Sequence, residues 1–264
     1  MHVLPFLFVL VLSLASCSTL PSVHEQAKSP HLHEQLIDSG IFTHRLFTNE
    51  AFSGYRSGPV HVYIEGDGHP WILRHFIAAD PTPLHPILLP VFAQDKSAAV
   101  YLGRPCYFDL AEEDKRCNSS LWTSARYSEN VVKSLLAALQ KIMPPGTPVI
   151  WIGHSGGGTL ATLLAPRYPD TQLVLTFAGN LDIASWTHYH HYTPLNESLD
   201  PASSPPLPAG IKQIHFAGSR DTNVLASWIE HYAQRQPNAE FHLIDATHTC
   251  CWDQPIQQVL SQFR

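Results

Sequence analysis

Charge is scarce in this chain. Only 14% of its 264 residues are Asp, Glu, Lys or Arg, and 16 basic against 22 acidic side chains leave a net charge of −6. No basic run occurs, and an acidic balance repels a phosphate backbone, so nucleic-acid binding is excluded. Long apolar runs are missing too. Residues 3–12 are almost wholly apolar, but that stretch is too short to cross a bilayer. Histidine is plentiful at 17 residues, yet no metal-ligand spacing of the H-E-x-x-H kind appears. His188, His190 and His191 therefore read as lining of a pocket rim, and neither a metal nor a cofactor is expected.

What is present centres on residues 149–158, VIWIGHSGGG. Four apolar residues run into Gly153-His154-Ser155-Gly156-Gly157. An apolar run of this length ending at a glycine turn reads as a buried strand. Leu160, Leu163 and Leu164 then recur at helical spacing. The G-x-S-x-G motif thus falls on a strand, a sharp turn and a helix, the context of a nucleophile elbow. A strained turn lifts the serine hydroxyl clear of the backbone. Gly153 and Gly157 leave room where a Cβ would meet the neighbouring strand and helix. The Gly156 amide, at the helix start, points to where an oxyanion develops.

On this motif the sequence resembles the α/β-hydrolase superfamily, and within it a group of lipid-anchored bacterial serine hydrolases of undefined substrate. The resemblance runs from about residue 60 to the C-terminus. It implies a mostly parallel central sheet with helices on both faces and a short cap. It also implies Ser155 as nucleophile, followed by an acid and then a histidine. The strand at residues 211–217 ends in Gly218-Ser219-Arg220-Asp221, which makes Asp221 the expected acid. Asp182, one strand earlier, is the alternative. Past the last strand, residues 240–244, His248 is the expected general base. The family's loop after the third strand maps to Glu65-Gly66-Asp67, making the Asp67 amide the second oxyanion donor, with Gly68 the neighbouring alternative. A carboxylate beside an oxyanion opposes its formation, so the Asp67 side chain is expected to point away. The activity implied is hydrolysis of a carboxylic ester or a similar acyl bond. A non-catalytic envelope binding module and an acyltransferase are the alternatives.

The ends of the chain carry other signals. Leu14-Ala15-Ser16-Cys17 resembles a bacterial lipobox. It implies a signal peptide over residues 1–16 and lipid attachment at Cys17, on the periplasmic side of an outer membrane. An ordinary secretory leader is the alternative, giving a soluble periplasmic or secreted protein. Polar residues 17–39 read as a tether, and residues 40–264 as the hydrolase domain with a cap at about 183–209. The expected state is a monomer. In an exported protein Cys106 and Cys117 suit a disulfide. The adjacent Cys250 and Cys251 leave a bridge, free thiols or metal binding open. Residues 41–51 read as a first strand pair, and Asp80 as the start of a helix.

Overall fold

The computed structural model describes residues 31–263. The proposed leader, Cys17 and most of the tether lie outside them. Its main sheet has eight strands in the order β1-β2-β6-β3-β7-β8-β9-β10. These are β1 Leu32–Asp38, β2 Thr43–Asn49, β3 Val60–Ile64, β6 Ala99–Leu102, β7 Val149–His154, β8 Thr171–Phe177, β9 Lys212–Gly218 and β10 Ala239–Ile244. Two further short strands, β4 Trp71–Ile72 and β5 Phe76–Ile77, form a separate two-stranded hairpin. β1 and β2 pair antiparallel, as do β2 and β6; from β6 to β10 every pairing is parallel.

Two expectations need correction here. The lead-in is not all tether: residues 32–38 pair with β2 over seven positions, so the sheet begins before residue 40. Its burial alternates with Leu36 half exposed, the pattern of an edge strand with one wet face. Asp80 starts no helix. Its carboxylate instead takes the Thr82 and Asp109 amides, tying two loops together, and the nearest helical turn is Leu89–Phe92. Pro81 and Pro83 push the residues before them, Asp80 and Thr82, out of the helical region into extended backbone.

β7 is buried at all six positions, which explains its unbroken apolar run. Five longer helices cover the sheet: α1 Glu129–Ile142, α2 Gly156–Leu164, α3 Ile183–Tyr189, α4 Ala226–Gln234 and α5 Asp253–Leu260. The Ser128 hydroxyl caps α1 by accepting from the Val131 amide, and Val131, Val132, Leu135, Ala138 and Leu139 bury its inner face. Trp151, Tyr63, Tyr101 and Phe92 fill the centre of the core. No described helix is long and apolar enough to cross a membrane.

β3 has β6 on one side and β7 on the other, so the winding reverses between β3 and β7. Loops leaving adjacent parallel strands at such a reversal open a crevice at their carboxyl ends. The loops after β3 and β7 meet there.

Candidate active site

Ser155 sits in the β7–α2 turn with φ 51° and ψ −121°, left-handed backbone that a serine adopts at a cost. The sharp turn brings α2 against the end of β3. A Cβ at Gly157 would stand 1.9 Å from the Ile64 carbonyl oxygen, so only glycine permits this approach.

Across the crevice, the loop after β10 places His248 Nε2 3.0 Å from Ser155 Oγ. His248 Nδ1 lies 2.8 Å from Asp221 Oδ2 in the loop after β9. Asp221 is buried, and its other oxygen accepts the Asn223 and Val224 amides at 2.8 and 3.0 Å. The three side chains therefore form one line of hydrogen bonds from three strand ends. Asp182 is not part of it: its carboxylate caps α3 through the Ser185 amide.

His154 supports the imidazole from behind. Its Nε2–H donates to the His248 carbonyl at 2.8 Å, and the Trp252 indole N–H donates to the same carbonyl and to that of Thr247. Burial pushes the His154 imidazole down to about 3, so it stays neutral beside the His248 ring. Glu65, 3.8 Å from His154 Nδ1, is buried, and burial pushes its carboxyl up.

The Asp67 side chain does not point away. It turns inward against Gly156, where a Cβ would stand 2.0 Å from its Oδ1. Its charge is met instead. Arg104 Nη1 donates to Oδ1 at 2.5 Å, while Arg126 Nη1 and the Tyr127 hydroxyl donate to Oδ2 at 2.9 and 2.5 Å. Burial alone would raise this carboxyl, but the two guanidiniums outweigh it and hold it well below the usual carboxylate range. Tyr107 adds a hydrogen bond to the Asp67 carbonyl at 3.0 Å. One carboxylate between two buried arginines leaves the cluster net positive. Outside the helices and strands, the Asp67 amide donates to no backbone carbonyl among the described residues. Gly68 stands at φ 67°, and a Cβ there would strike the Pro81 carbonyl.

Arg104, Arg126 and Tyr107 have no role in the sequence reading. The available signal was two arginines flanked by aromatics in a chain poor in charge. Cys106 and Cys117 are joined with Cα atoms 5.7 Å apart, holding the loop that carries Arg104 and Tyr107. Cys250 and Cys251 are joined to each other. No group of His, Cys, Asp or Glu suited to a metal occurs among the described residues. Of the rim histidines, His191 lines the cavity, while His190 bonds the Asn223 carbonyl.

A cavity of about 820 Å³ opens over Ser155 and His248. Asn180 lines it as well; its side chain is buried and its Oδ1 has no partner among the described residues.

No protein-family model matches the chain, and no curated protein matches it by sequence. Solved structures do match. A serine hydrolase involved in carbazole degradation aligns over 88% of this chain and 97% of its own, at 11% identity and a TM-score of 0.56. A Pyrococcus furiosus esterase aligns over 88% and 90%, at 12% identity and a TM-score of 0.57. An α/β serine hydrolase homologue from Coxiella burnetii aligns over 87% and 96%, at 12% and 0.54. The fold is the α/β-hydrolase fold. Its carboxyl-edge crevice is where Ser155, His248 and Asp221 converge.

Proposed function

We propose that the protein is a serine hydrolase that cleaves a carboxylic ester, or a similar acyl bond, through an acyl-enzyme. The observation that carries this reading is the unbroken line Ser155 Oγ–His248 Nε2 and His248 Nδ1–Asp221 Oδ2. Ser155 attacks the acyl carbonyl while His248 takes its proton. Asp221 fixes the tautomer and stabilises the imidazolium. The amides of Gly156 and Asp67 receive the oxyanion. The Arg104–Asp67–Arg126 cluster holds the second amide in place, and its surplus positive charge favours the developing anion. His248 then returns the proton to the leaving alcohol. Water repeats the sequence to free the acid. None of these steps uses a cofactor.

The neighbours named as esterases and serine hydrolases are consistent with this chemistry. The proposal includes the N-terminal reading: lipid on Cys17 holds the domain at a bacterial envelope. Mass spectrometry of the envelope-extracted protein checks that part.

Labelling by a fluorophosphonate probe tests the central claim. Wild-type protein reacts, and Ser155→Ala does not. Turnover of a short acyl ester falls at least about a thousandfold in the same variant. Folded wild-type protein that neither labels nor turns over any of a panel of esters would favour the binding-module reading instead. Acyl appearing on an added alcohol or amine rather than on water would indicate transfer.

A further inference from the structure

The β4–β5 hairpin is the most anomalous surface on the molecule. Residues 71–77, WILRHFI, are exposed without interruption. Of ten large hydrophobic side chains exposed among the described residues, six lie here: Trp71, Ile72, Leu73, Phe76, Ile77 and nearby Leu84. Leu73, at the tip, is 79% exposed. Single exposed apolar residues are ordinary on a soluble protein, whereas a contiguous group marks a contact surface.

The hairpin is built to protrude. Trp71 pairs with Ile77 and Ile72 with Phe76. Three residues, 73–75, close the hairpin, and Leu73 and Arg74 stand at φ 51° and 65°, left-handed positions that such turns normally give to asparagine and glycine. Holding a leucine and an arginine there costs free energy and leaves both residues exposed. The base is fixed by the Ala78 amide on the Pro70 carbonyl and by the Trp122 indole on the Ala78 carbonyl. A free two-stranded hairpin is barely stable, so this anchoring keeps the apolar tip in place.

Charge narrows the choice of partner. The chain carries −6 with its histidines neutral, yet residues 69–79 contain Arg74 and no acid. An apolar wedge with an arginine at its tip suits an interface with acyl chains below and anionic headgroups above. The wedge is also continuous with the cavity, which Trp71, Arg74 and Leu84 help to line.

We propose that the β4–β5 hairpin docks the protein on an anionic lipid surface, with the cavity mouth opening onto it. This contact is separate from any lipid at Cys17 and does not depend on the chemistry assigned to Ser155.

An environment-sensitive dye on the hairpin reads this directly. It is placed by Leu73→Cys in a full-length Cys17→Ser chain, which has no other unpaired cysteine. Its emission shifts to the blue with phosphatidylcholine vesicles containing phosphatidylglycerol, and much less with phosphatidylcholine alone. The same dye at Leu36→Cys on β1 does not shift. Adding Ile72→Ser and Phe76→Ser weakens partitioning at least about tenfold, with melting midpoint and circular dichroism kept. A dye at position 73 that stays in water, or partitioning unchanged by the two serines, overturns the proposal. Equal binding to neutral vesicles overturns its anionic part. A lipid-free dimer that the two serines dissolve would assign the face to a second copy of the chain.

Discussion

Gly156 has no side chain, and the space that one would fill is taken by Asp67 and Tyr127. A methyl there would stand 2.0 Å from Asp67 Oδ1 and 2.4 Å from the Tyr127 oxygen. Gly156→Ala therefore pushes the carboxylate off its arginines and tilts both proposed oxyanion donors. Ester kcat should fall by more than about tenfold, with stability lower by about 1–3 kcal/mol. Asp67→Ala has a different signature. It leaves Arg104 and Arg126 buried and unpaired, and the urea midpoint should fall by the equivalent of about 3–5 kcal/mol. A midpoint within error of wild type would show that the cluster is not held by charge. Residue by residue, Ser155 was legible from its strand–turn–helix motif, and Asp221 and His248 through the resemblance, which expects an acid and then a histidine after later strands. The inward turn of Asp67 was not, since its partners lie 37 and 59 positions away.

At the scale of elements, strongly periodic segments were readable and weakly periodic ones were not. β7 and α2 are buried throughout, and α1 is an amphipathic helix capped by Ser128. β1 escaped because an edge strand with one wet face carries few apolar residues. The β4–β5 hairpin escaped for the opposite reason: it is apolar on both faces and turns without glycine. The loop between β6 and α1 has its own test. Arg104 and Tyr107 flank the Cys106 bridge and both hold Asp67. Cys106→Ser with Cys117→Ser should lower stability by about 2–4 kcal/mol and reduce ester kcat more than KM, because the loop positions a donor and not the substrate. A kcat unchanged by the double substitution would separate the bridge from the site.

Across the whole molecule, acid sensitivity should come from histidines that the fold keeps neutral. Burial pushes His44 down to about 4, and His154 and His215 down to about 3. Below pH 6.5 the unfolded chain takes up protons that these folded imidazoles refuse. Their contribution is complete above pH 6.5, falls as pH drops, and levels off once the folded values are reached. His44 alone corresponds to about 3 kcal/mol between pH 6.5 and 4. Glu65 and Asp200, pushed up by burial, act in the opposite sense above their ordinary values. With three imidazoles against two carboxyls, the urea midpoint should fall steadily from pH 6.5 to 4. A flat profile over that range would contradict the neutral assignment.

Towards the amino end of β3, far along the strand from Ser155, His61 Nδ1 meets Asp95 Oδ2 at 2.6 Å, with Tyr63 donating to the same oxygen. Both side chains are buried. The contact resembles that of His248 with Asp221, except that His61 is wholly buried while His248 is partly exposed. The other nitrogen of His61, Nε2, meets nothing among the described residues, and no serine waits there. An imidazole gripped by a carboxylate is ordinary masonry until a hydroxyl and an open space share its far side. A search by His–Asp geometry alone would count this molecule twice, and only the couple at His248 has a serine hydroxyl within reach.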